Sequence, residues 1–186
     1  MKLSHREEKR VRRRSVFKLF AFGLVVLTIS GSSSCSEKNI SPESLERRIQ
    51  ALEDTEEIKK LHQHYINLMD NLRYEEVLDL FTEDATVEIR NYGIKRGRKE
   101  IAEVYEVLAK KRGNTRYDGH MAVQPDIEVN CNTARGTWLV YMLFSKPSIQ
   151  WVQGVNECEY RKESGKWKLS KLKFTRTLAS DPSMYP

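Results

Sequence analysis

Apolar positions recur along this chain in two rhythms, and the change between them falls near Gly113. Behind Ser41-Pro42-Glu43, Leu45, Ile49 and Leu52 stand three to four residues apart, which predicts a helix with proline in its first turn. Asp54-Thr55-Glu56-Glu57 sets an N-cap acceptor three residues ahead of an acid, so a fresh helix start is expected at Asp54. From there Ile58, Leu61, Tyr65, Leu68, Met69 and Leu72 form one stripe of a helix ending near Asp70, the clearest amphipathic segment. A short helix is predicted over 74–81 and is closed by Thr82-Glu83-Asp84. Residues 85–90 alternate as a strand, 93–97 form a basic turn, and 98–111 make a third helix with Ile101, Val104, Tyr105 and Leu108 inward. Beyond Gly113 the period is two. Four strands are expected at 119–129, 134–144, 150–161 and 166–177, joined by turns short enough for antiparallel neighbours. Helices followed by an antiparallel meander define an α+β fold, with the helices on one face of a curved, mostly antiparallel sheet.

Composition changes this picture only at the amino end. With 31% charged and 39% hydrophobic residues the chain suits one globular domain and excludes collagen, a coiled-coil rod or a disulfide scaffold. The net charge of +6 comes from residues 1–35, which hold eight Lys/Arg and two Asp/Glu and leave 24 of each sign in 36–186. The working domain is neutral, so nothing steers it toward nucleic acid. The basic clusters 95–99 and 110–112 are balanced by nearby acids and lack interleaved aromatics. Within 1–35, a basic block precedes the apolar run 19–29 and then small residues, the layout of an export signal too short to span a bilayer. Arg13-Arg14-Ser15-Val16-Phe17-Lys18 resembles a twin-arginine signal. Cys35 follows small residues as in a bacterial lipobox, although Ser32 stands where leucine is preferred; lipidation at Cys35 is expected, with ordinary cleavage near the serines as the alternative. The expected organisation is an export signal at 1–35, a tether at 36–44, a domain at 45–178 and a tail at 179–186, with the protein in the cell envelope or periplasm and membrane contact only through signal or lipid. Cys131 and Cys158 have neither CxxC spacing nor a histidine at ligand spacing, so no metal is expected; two half-buried strand thiols are, with pairing as the alternative. His62 and His64, two apart on a helix, diverge by about 200° and cannot share an ion; both are expected on the surface.

Five short motifs occur in a characteristic order: Ile58-Lys59-Lys60-Leu61 through Tyr65 to Asp70; Leu80-Phe81-Thr82-Glu83-Asp84-Ala85; Gly97-Arg98-Lys99-Glu100-Ile101; Gly119-His120-Met121; and Ala134-Arg135-Gly136-Thr137-Trp138. Together they resemble the nuclear-transport-factor-2-like superfamily, in particular its SnoaL-like branch, which includes scytalone dehydratase and bile-acid 7-alpha-dehydratase. The resemblance implies a cone-shaped α+β barrel whose apolar cavity takes a small hydrophobic ligand. It also implies self-association as a dimer or trimer through the outer face of the sheet.

By motif position the resemblance gives His120 as general base and acid, Asp70 as the carboxylate that orients it, and Tyr65 as donor to a substrate oxygen. Those residue types suit these roles, since an imidazole takes and returns a proton at neutral pH, a carboxylate fixes its tautomer, and a phenol polarises a carbonyl or assists a departing hydroxyl. Trp138, Met142, Phe144, Trp151 and Met121 are the apolar candidates for the cavity lining, with core packing the alternative for each. Where the bile-acid enzyme has a further acid, this chain has Met142. The implied activity is cofactor-independent dehydration, isomerisation or cyclisation; the alternative is a non-catalytic binding module of the same fold.

Overall fold

The computed structural model describes residues 41–112, 118–146 and 148–180; the expected export signal, Cys35 and the last tail residues lie outside them. Helix α1 (Pro42–Asp70) is one continuous helix of 29 residues. Ser41 caps it, its Oγ accepting the Ser44 N–H at 3.2 Å. The expected second start at Asp54 is not used. The Asp54 carboxylate is turned away from its own backbone and accepts from Lys162 Nζ and, at 2.9 Å, from Trp167 Nε1, so it ties the helix to the sheet. Burial pushes the Asp54 pKa up, but these hydrogen bonds outweigh it and hold the carboxyl below its usual range. Leu45, Ile49 and Leu52 stay exposed, so the apolar spacing of the first three turns does not mark a buried face among the described residues.

After a tight turn in which Leu72 adopts φ 60, the predicted short helix shrinks to α2 (Tyr74–Val77) and a 3₁₀ turn, Leu78–Leu80. Phe81 already pairs with Leu169, so β1 (Phe81–Ile89) begins four residues earlier than the alternation indicated. The expected basic turn contains a short strand, β2 (Ile94–Arg96), bounded by Gly93 and Gly97 at φ 69 and 70. Helix α3 (Gly97–Arg112) follows, then β3 (Asp118–Asn130), β4 (Thr133–Phe144), β5 (Gln150–Glu163) and β6 (Lys166–Ala179).

The six strands form one open, mixed sheet in the order β2-β1-β6-β5-β4-β3. All neighbours are antiparallel except β1 and β6, which run parallel through Ile89↔Phe174. Helix α1 packs on β3 and α3 on β1. Ile58, Leu68, Phe81, Tyr105, Leu169 and Leu172 are fully buried between helices and sheet. At about 0.8 kcal/mol per buried methylene, this inner face supplies the main driving force for the arrangement. Cys158 belongs to that core, whereas Cys131 is exposed in the β3–β4 turn at φ 52; the two are free thiols, and the expectation of a pair of half-buried strand thiols is corrected in both directions.

Candidate functional site

Toward one end of the core the packing opens into a cavity of about 250 Å³, walled by Tyr65, Met69, Leu108, Met142, Phe144 and Phe174 among others. That is just below the ~300–1,000 Å³ of drug-sized sites and suits a molecule with one or two rings. His120 is also in this wall.

Asp70 is delivered by the last residue of α1 and His120 by the start of β3. Helix periodicity puts Asp70 off the apolar stripe, but at a helix end the chain turns at once and the carboxylate reaches sideways to the strand. It accepts the His120 backbone N–H, at 3.1 and 3.2 Å to its two oxygens, and its Oδ1 lies 2.7 Å from His120 Nδ1. The two side chains are only 14% and 8% exposed. A carboxylate can only accept, so His120 Nδ1–H is the donor in this contact. Two contacts from one carboxylate fix both the place and the rotation of the ring.

Tyr65 lines the same cavity, and the Tyr105 hydroxyl donates to its oxygen at 3.4 Å. Tyr105 is fully buried, and burial drives its pKa well above that of an ordinary phenol. It therefore stays protonated and polarises the Tyr65 hydroxyl toward donation.

Of the five apolar lining candidates, Met142 and Phe144 face the cavity. Trp138 is instead core, stacked flat on His62 with centroids 4.2 Å apart and planes 5° apart. Met121 and Trp151 lie on the other face of the sheet, 47% and 38% exposed. Strand alternation accounts for this: His120 and Val152 point inward, so their neighbours Met121 and Trp151 point out.

His62 is the clearest correction. It is completely buried, and desolvation lowers its pKa from 6.5 to about 3, so it is neutral at physiological pH. Its Nδ1 lies 3.3 Å from Tyr160 Oη, which accepts Trp138 Nε1–H at 2.9 Å, and its Nε2 lies 3.4 Å from Asn156 Nδ2. The signal was present in the spacing, since Ile58, His62, Tyr65 and Met69 fall at intervals of four, three and four and share one buried face. His64, two residues on, falls off this face and is exposed. Asn156 in turn lines the cavity, as do Arg90, Tyr92 and Asp118, none of which the sequence singled out, and Lys111 of the basic cluster 110–112. Among the described residues no group of three or more His, Cys, Asp or Glu is arranged to hold a metal ion.

The profile of the SnoaL-like domain family matches residues 50–173, the stretch that carries most of α1 and of the sheet and the His120–Asp70 pair. The chain belongs to the SnoaL-like domain family. Solved structures agree on the fold of this SnoaL-like domain. A protein from Novosphingobium aromaticivorans assigned as a scytalone dehydratase superposes with a TM-score of 0.63 at 21% identity, over 70% of this chain and 88% of its own. An NTF2-like protein with a cystatin-like fold from the same organism gives 0.63 at 19%, over 77% and 94%. A hexachlorocyclohexane dehydrochlorinase, LinA type 2, gives 0.60 at 18%, over 72% and 91%. No protein among the curated ones matches the chain by sequence. The likeness to the solved structures is one of fold, and what the SnoaL-like domain does here is argued from its own cavity.

Proposed function

We propose that this SnoaL-like domain is a cofactor-independent catalyst of proton transfer, eliminating from or isomerising a small apolar hydroxy or carbonyl compound. The observation that carries the reading is the 2.7 Å contact of His120 with Asp70 at the wall of an apolar cavity. His120 Nε2 takes a proton from the carbon next to a carbonyl, and Asp70 stabilises the imidazolium that forms. The C–H electron pair becomes a carbon–carbon double bond as the adjacent C–O bond breaks. The hydroxyl leaves as water with the proton that His120 had taken, so the imidazole is neutral again. The Tyr65 hydroxyl donates to the substrate oxygen on which negative charge develops. Dehydration and dehydrochlorination, the activities named for two of the structural neighbours, are both eliminations of this form.

Met142 in the cavity wall favours a second reading, a binding module, because it is apolar where the resemblance to the bile-acid enzyme implies a further acid. Turnover separates the two. With 4-hydroxy-4-phenylbutan-2-one, a one-ring β-hydroxy ketone, the catalyst produces the conjugated enone, followed by its ultraviolet absorbance. His120→Ala lowers the rate by about 10²- to 10⁴-fold with little change in ketone affinity. Binding of the ketone without conversion by the wild-type protein, and unchanged binding by His120→Ala, identifies a binding module instead.

A further inference from the structure

The cavity's apolar depth ends in a rim of different character. Arg90 and Lys111 are both exposed and both line the cavity, so they stand at its open end. Arg90 is held at φ 49, in the left-handed region that side chains other than glycine avoid, within the 3₁₀ turn Arg90–Tyr92. Lys111 is steadied by Tyr92, its Nζ 3.0 Å from the hydroxyl and 5.2 Å from the ring centroid. Against these two cations stands one lining acid, Asp118.

A third cation stands on the strand beside this rim without itself lining the cavity. Arg176 on β6 pairs with the buried Gly154 and so belongs to the inner face, two residues past the lining residue Phe174. The parallel register Ile89↔Phe174 sets it on the strand next to the Arg90 turn. Its Nε and Nη2 are buried and have no hydrogen-bond partner among the described residues. An arginine edge of this kind offers two parallel donors matched to a carboxylate, and leaving it without an acceptor is costly.

Resting on the reading of this cavity as a substrate site, we propose that its ligand is an apolar ring compound bearing a carboxylate, the ring in the cavity beside His120 and the carboxylate at the rim of Arg90, Lys111 and Arg176. The rim then sets which end of the molecule enters first. It also holds the reacting carbon at His120 while the charged group stays at the open end.

Two probes of the same shape test this on the full chain by calorimetry: 4-phenylbutanoate and 4-phenylbutanamide. The wild-type protein binds the carboxylate about 10- to 100-fold more tightly than the amide, the range expected for charge-assisted hydrogen bonds, and the difference shrinks as salt rises. Arg176→Met abolishes most of this preference, weakening carboxylate binding far more than amide binding. Arg90→Gln, at an exposed position where folding is not at stake, reduces it in the same direction. Equal affinity for both probes, or variants that weaken both alike, overturns the carboxylate assignment and leaves the catalytic reading standing. Failure of the wild-type protein to bind either probe overturns both.

Discussion

At the scale of single residues, the chemistry depends on which surroundings each histidine meets. His120 has a carboxylate at Nδ1 and a cavity beside it, whereas His62 has only burial and weak neutral partners. Asp70→Asn keeps an acceptor for Nδ1–H but cannot stabilise an imidazolium. It is therefore expected to lower kcat by about 100-fold or more while KM changes little, measured on the same β-hydroxy ketone. His62 gives a stability prediction with a definite sign. Its folded pKa of about 3 lies below the unfolded 6.5, so the unfolded chain binds more protons, and the stabilisation is complete above pH 6.5 and lost as pH falls toward 3. Within that window stability should fall by up to about 1.4 kcal/mol per pH unit from this group. His62→Phe should flatten the dependence of Tm on pH between 6 and 4; an unchanged slope would show that His62 does not titrate there. Tyr65, Asp70 and His120 were legible because each sits in a short motif, but Asn156 and Arg176 were not. Each is a lone polar residue in an alternating strand, and only its inward direction in the folded sheet distinguishes it.

At the scale of elements, Asp54 joins the middle of α1 to the β5–β6 hairpin through Lys162 and Trp167. Asp54→Ala leaves the Lys162 ammonium, partly buried, and the indole N–H without their acceptor. It should cost about 2–3 kcal/mol in urea unfolding with the m-value unchanged; a loss no larger than that of an exposed pair would mean the tie is not formed in solution. Gly154 has a different role. A Cβ there would stand 2.3 Å from the Phe174 ring and 2.6 Å from the Thr175 carbonyl oxygen, so Gly154→Ala must displace a cavity-lining ring and should cost about 1–3 kcal/mol. The four long strands were legible because their turns and two-residue period are local properties. The single helix α1 was not, since the capping signal at Asp54 is overridden by a partner 108 residues away. Strand β2 and the parallel β1–β6 pairing were hidden for the same reason: three residues carry no period, and the partner strand is the last one made.

At the scale of the whole molecule, the open sheet has a face that the described helices do not cover. Met121, Leu143 and Trp151 are exposed on it near one end, while Glu157 with Lys173 and Glu159 with Lys171 alternate further along. An apolar end beside alternating charges gives a second copy of the chain both a surface to bury and charges to meet. Self-association through it is expected, with Leu143→Glu shifting the light-scattering mass to that of a single chain; a single-chain mass for the wild-type protein at high concentration contradicts it. The central claim is narrower than assembly or substrate identity: His120 is a base that removes a proton from a carbon held in the cavity. It is tested most directly with 4-phenylbutan-2-one, a ketone with no leaving group, in heavy water, following loss of the proton resonances next to the carbonyl. The account predicts that the wild-type protein accelerates this exchange over buffer, that His120→Ala returns it to the buffer rate, and that Asp70→Asn falls between. Exchange at the buffer rate in the wild-type protein with the ketone demonstrably bound, or equal acceleration by His120→Ala, would contradict it.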